Sequence, residues 1–324
     1  MTERDPSQRS HWCVVVADDV GPEWVPAVSP SKQPASVQYC GLGEPTTLLQ
    51  KALHRAARIA PATHVMVTTI DGHREHWQPA LWSVRPQYRI VGDSRLTSCL
   101  TAAAALLAVA AESPYHVVTV LPAKCYVTHE DVLSEALQSA YANLPLTPEG
   151  VVTLGMVDIS DGIDEDYLVP GRAKSGTHLV VQAMARRPVP WVVRHRREHG
   201  AMTASGILIG YAGVFAAHIA KQWPGLTVKL TRAITRAVAS GTECRVPASL
   251  RTGVPGAVLR SLGWCSRISA TRVLRVLHAG WSGLRSPRAV ARISAISDRY
   301  RDSPDQLRDW GVESQEVALS GHGT

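Results

Sequence analysis

The chain has 324 residues, 45% of them hydrophobic, and a formal net charge of +7. That apolar content excludes a disordered chain, and the length accommodates one large α/β domain or two smaller ones. The positive charge, gathered in arginines at 186–197 and again at 245–301, attracts polyanions non-specifically, but without a nucleic-acid reading module and with a single phenylalanine, nucleic acid is not an expected partner.

Residues 1–10 are polar, carry both charge signs and lack the apolar core of a secretory signal. The run 12–17 (Trp-Cys-Val-Val-Val-Ala) is short, apolar and β-branched, as a strand buried on both faces requires. Residues 18–43, rich in Pro, Ser and Gly, form a long loop, and loops of that length in compact domains are usually functional. Thr47 caps a helix in which Leu48, Leu49, Ala52, Leu53, Ala56 and Ile59 recur at helical spacing until Pro61. A strand follows at 64–69, then a loop into a short helix at 71–81, a short strand at 88–91, and an alanine-rich helix opened by Thr97 or Ser98 and reaching 112.

A buried-type strand at 116–121 ends at Pro122, Thr128 caps a helix over 129–142, and 151–156 supplies another strand. Further on, the pattern predicts an edge strand at 178–184, a strand at 206–211, a helix at 214–222 stopped by Pro224, a helix at 231–240 and a half-buried strand at 271–277. The apolar stretches 13–17, 102–111 and 206–217 are too short, or too rich in small residues, for membrane spans, so membrane insertion is not expected and the protein is placed in the cytoplasm. Cys13, Cys40, Cys99, Cys125, Cys244 and Cys265 lack metal-site spacing and read as free thiols.

Strands alternating with helices predict an α/β fold of three layers, Rossmann-like, with a mixed and mainly parallel sheet. Its parts are a polar tail at 1–10, a domain at 11–302 whose segment 231–302 is a C-terminal extension closing over the sheet, and a polar tail at 303–324. In such sheets ligands bind beyond the carboxyl ends of the strands, which points to 18–32, 92–97 and 122–125. Asp18 and Asp19 read as a helix cap or a solvated turn, and the acidic run Asp158, Asp161, Asp164, Glu165 and Asp166 as a solvated loop. The segment 194–199 (Arg-His-Arg-Arg-Glu-His) reads as wet charged surface, with phosphate or partner binding as the alternative.

Taken in order, a first strand, a long loop, a helix opening Thr47-Leu48-Leu49-Gln50 and, near the end, Ala279-Gly280-Trp281-Ser282 resemble the mannose-1-phosphate guanylyltransferases over nearly the whole chain. That resemblance implies a nucleotide-diphospho-sugar transferase-like (GT-A) fold, GTP or a GDP-sugar and a sugar 1-phosphate as ligands, and Mg2+ as cofactor. By the same resemblance Ala17, Gly21, Arg95 and Thr97 contact the nucleotide, Lys32 and Arg187 the phosphates, and Gly155, Ser205 and Gly206 the sugar. The chain departs from the family where chemistry resides. The glycine-rich phosphate loop becomes Ala17-Asp18-Asp19-Val20-Gly21-Pro22-Glu23, whose carboxylates repel a triphosphate. The two positions that hold the ion in the family are Lys124 and Gly283 here, so no protein metal ligand is expected. The expectation is therefore a guanylyltransferase-like protein of GDP-mannose metabolism with weak or absent turnover, or a non-catalytic regulatory or scaffold partner of an active nucleotidyltransferase.

Overall fold

Along strand β1 (His11–Val16) every side chain after the first is buried, and the pleat sends Trp12, Val14 and Val16 to one face and Cys13, Val15 and the following Ala17 to the other. A strand without a wet face needs helices on both sides, which is the physical origin of the three layers. The structure, a computed structural model, describes residues 10–18, 36–93, 98–144, 149–157, 165–171, 178–185, 188, 190–251 and 271–302.

The chain continues through α1 (Leu48–Ala57), β2 (Val65–Ile70), α2 (Arg74–Trp77), β3 (Arg89–Gly92), α3 (Ser98–Glu112), β4 (Val117–Pro122), β5 (Cys125–Tyr126), α4 (Glu130–Ala142) and β6 (Val151–Met156). Then come β7 (Tyr167–Pro170), β8 (His178–Ala185), α5 (Pro190–Glu198), β9 (Met202–Tyr211), α6 (Ala212–Gln222), α7 (Pro224–Ser240), β10 (Cys244–Val246), β11 (Arg272–Val276), β12 (Ser282–Gly283) and α8 (Pro287–Asp302). Ten strands form one sheet in the order β10-β3-β2-β1-β4-β9-β6-β11-β8-β7. It is parallel from β10 to β4 and again between β6 and β11, while β9 runs antiparallel to both neighbours and β8 to both of its own. The start of β9 also pairs with β7, so the far end of the sheet curls around Leu168, Met202, Ala204 and Val273.

One face is covered by α3, α6 and α7. Alanines at 102–105 on α3 are buried all round, and their small side chains let the helix lie close against the sheet. The other face is covered by α1 and α4 with Trp77 and Leu81. Thr47 opens α1 with a full capping box, its hydroxyl accepting from Gln50 N at 3.2 Å and the Gln50 amide oxygen accepting from Thr47 N at 2.9 Å. Such a cap contributes about 1 kcal/mol.

Several sequence expectations are corrected. The strand over 178–184 is not an edge, because β7 pairs along its outer side. Pro224 does not simply stop a helix; it begins α7, which is longer than the predicted 231–240, because a proline at the first helical position gives up no hydrogen bond. Thr128 is not the cap of α4: His129 holds that position, and the Thr128 hydroxyl donates instead to Gly280 O at 3.3 Å. The tail at 303–324 lies outside the described residues. No helix among the described residues is long and apolar enough to cross a membrane.

Candidate functional site

At the carboxyl end of β1 the chain satisfies its own polar groups. Ala17 N donates to Thr68 O at 3.0 Å, and its carbonyl accepts from Gln38 Nε2 at 3.1 Å and from the Tyr39 hydroxyl at 3.0 Å. Asp18 is only 2% exposed and accepts from the Thr101 hydroxyl in the first turn of α3, so the expectation of a solvated turn is corrected. A buried carboxylate needs such a donor to offset its desolvation. Burial, with the Asp18 charge adding to it, pushes the Cys99 thiol up, and burial likewise raises the Tyr39 phenol. Of the residues expected at the nucleotide and phosphates, Ala17 is thus described with its carbonyl occupied, while Gly21, Lys32, Arg95, Thr97 and Arg187 lie outside the described residues.

The two positions expected at the ion do meet. β12 pairs antiparallel with β5, setting Gly283 opposite Cys125 and Ser282 opposite Tyr126, and Leu284 N donates to Lys124 O at 3.3 Å. The space a side chain at 283 would fill holds the carboxylate of Glu165. A Cβ on Gly283 would lie 2.3 Å from Glu165 Oε1 and 2.7 Å from Oε2. Arg285 spans this acid and the next, with Nε 3.8 Å from Glu165 Oε2 and Nη1 2.9 Å from Asp166 Oδ2. Both acids are buried, at 6% and 5% exposure, which corrects the solvated-loop reading for these two; 158–164 lie outside the described residues. Here the donor set does not fit a divalent cation. Magnesium takes free oxygen ligands, whereas the carboxylates beside Gly283 are paired with a guanidinium and position 124 offers an ammonium.

The surrounding motif holds the fold together. Gly280 has φ +61°, and a Cβ there would come within 2.5 Å of Thr128 Cβ, so a larger residue is excluded twice over. Its carbonyl and that of Ala279 accept from Thr128 N (3.3 Å) and His129 N (3.0 Å), fastening the segment to the start of α4. Trp281 is buried beside Cys125, and Ser282 Oγ accepts from Arg292 of α8 at 3.0 Å. Beneath it, Arg55 of α1 is buried and donates to Glu130 of α4 from Nε (3.0 and 2.9 Å) and Nη2 (2.6 Å), and from Nη1 to Cys125 Sγ at 3.5 Å. Burial pushes the Cys125 thiol up, against the pull of the Arg55 charge.

The residues expected at the sugar line the strands. Gly155 lies in β6 at an irregularity of its pairing with β9, where a Cβ would approach Val273 Cγ2 to 2.7 Å and Met202 Sδ to 2.8 Å. Gly155→Ala should therefore destabilise the fold by about 1–3 kcal/mol through overpacking, read as a lower urea midpoint with unchanged m. The Ser205 hydroxyl is held by the backbone, donating to Leu154 O at 2.7 Å and accepting from Ile207 N at 3.0 Å. Gly206 follows at φ +77°, beside Pro122. Glu165, Asp166, Arg285 and Arg55 escape a sequence reading, because each gains its role from a partner distant in the chain.

No family model matches this sequence, and no curated protein does. Solved structures match in fold. The crystal structure of a mannose-1-phosphate geranyltransferase from Thermus thermophilus superposes with a TM-score of 0.65 at 20% identity, over 88% of this chain and 79% of that one. A mannose-6-phosphate isomerase from Helicobacter pylori gives 0.59 at 13% identity, over 84% and 99%. An apo UDP-glucose pyrophosphorylase gives 0.52 at 11% identity, over 90% and 99%. The expected fold is borne out: a three-layer, nucleotidyltransferase-like α/β fold with a mixed sheet.

Proposed function

We propose that this chain is a mannose-1-phosphate guanylyltransferase-like protein of nucleotide-sugar metabolism in which transfer chemistry is weak or absent. The observation that carries the reading is the Glu165 carboxylate seated over Gly283 and paired with Arg285. Attack on an α-phosphorus develops charge that a site must neutralise with an ion or a fixed cation. Here the guanidinium beside the ion position is already paired to protein carboxylates. The role left to such a fold is binding, with a GDP-sugar, GTP or a sugar 1-phosphate as the ligand class.

A second reading, a regulatory or scaffold partner of an active nucleotidyltransferase, is favoured by the end of β1, where Gln38 and Tyr39 take the Ala17 carbonyl. Calorimetric titration with GTP, GDP-mannose and mannose 1-phosphate, with and without magnesium at low ionic strength, tests both. Magnesium-independent binding of GDP-mannose without pyrophosphate release from GTP is the expected result. Magnesium-dependent GTP binding with pyrophosphate release would sink the first reading, and binding of none of the three leaves the partner reading alone.

A further inference from the structure

We infer that His195, Glu198 and His199, exposed at the C-terminal end of α5, form a binding site for a divalent transition metal of the zinc class. The three residues stand at i, i+3 and i+4: His195 and Glu198 share one side of the last turn of α5, and His199 follows in the turn directly after it. One ligand atom from each lies within 4.8 Å of the others. All three are exposed, with the His195 and Glu198 side chains at 67% and 63%, so an ion has an open approach and the side chains have room to close on it.

One of the imidazoles is already oriented. His199 Nδ1 lies 2.7 Å from His195 O, and a proton on Nδ1 donated to that carbonyl leaves the Nε2 lone pair for a metal. The two imidazoles are neighbours, with ring centroids 4.4 Å apart, and Glu198 Oε2 is 4.0 Å from His195 Nδ1. Two imidazoles and a carboxylate select zinc, copper or nickel over magnesium and calcium, and three protein donors leave a fourth tetrahedral position to water.

Arg197 is turned toward Tyr167, its Nη2 donating to the Tyr167 hydroxyl at 3.2 Å and its guanidinium 5.5 Å from the ring centroid. Arg194 stands four residues before Glu198 on the same side of α5, and no ion pair joins the two among the described residues. Val193 and Ala201 pack with Tyr167, which anchors α5 on the body of the protein and fixes the backbone that carries the ligands. Among the described residues competition from thiols is weak, since burial pushes Cys40 and Cys244 up to about 11 and raises Cys13, Cys99 and Cys125 as well.

The test is titration of the full, reduced chain with Zn2+ by calorimetry and with Co2+ by visible absorption. One equivalent should bind, the cobalt complex showing d–d bands without a thiolate charge-transfer band. His199→Ala should weaken zinc by about tenfold or more, and His195→Ala/His199→Ala should abolish binding. Both leave the fold intact on circular dichroism, because the side chains are exposed. Absence of binding to the natural chain, a thiolate band, or an unchanged affinity in the double variant would overturn the assignment.

Discussion

Arg55→Ala should lower the stability of the whole domain by about 3 kcal/mol, the low end of what removing one partner of a buried ion pair costs. The Arg55 side chain is 5% exposed and Glu130 31%, so the stranded carboxylate regains some water, while the arginine's own site cannot be refilled by an alanine. The loss reaches further than one pair. Arg55 joins α1 to α4, and its Nη1 contact at 3.5 Å reaches Cys125 of β5, the strand against which β12 is paired. Chemical denaturation should show a lower midpoint with unchanged m, and Arg55→Lys should recover only part of it, since an ammonium cannot reproduce the two-pronged contact. Stability equal to the natural chain in Arg55→Ala would show that the pair does not hold α1 and α4 together.

What is legible in the sequence depends on whether a residue's partners are near in the chain. Thr47 and Gln50 meet three residues apart, and the unbroken apolar run from Trp12 to Ala17 is a local signal, so the first helix and the doubly buried strand can be read directly. Arg285 meets Asp166 across 119 residues, and nothing in the run 158–166 distinguishes a wet acidic loop from two buried carboxylates awaiting a guanidinium. The same holds for β8, whose own pattern cannot say that β7 will pair along its free side. Pro224 is ambiguous for another reason: proline breaks a helix interior and suits a helix start equally well, and Trp223 provides the break that assigns it to α7. The sequence shows only a glycine at 283, and it cannot show that Glu165 brings a carboxylate to the same place from a distant part of the chain.

That substitution in space gives the second large effect. Gly283→Asp, which returns the residue the resemblance implies, should cost the fold about 3 kcal/mol rather than create an ion site. An aspartate Cβ would overlap Glu165 Oε1 at 2.3 Å, and with Glu165 only 6% exposed, the displaced acid must leave Arg285 or crowd the new one. Overpacking of this kind costs about 1–3 kcal/mol, and a third carboxylate beside the half-buried Arg285 guanidinium, already shared by Glu165 and Asp166, adds repulsion on top. Gly283→Ala, which introduces the contact without the charge, should cost less, because the far end of the Glu165 side chain can yield a little. The diagnostic variant is Gly283→Asp/Glu165→Ala. Its single acid occupies the vacated space beside Arg285, so it should regain most of the lost stability, a coupling that a double-mutant cycle in urea measures directly. Additive losses in that cycle would mean that residues 165 and 283 do not compete for one place. Recovery of stability would establish that the carboxylate beside Arg285 can be supplied from either position.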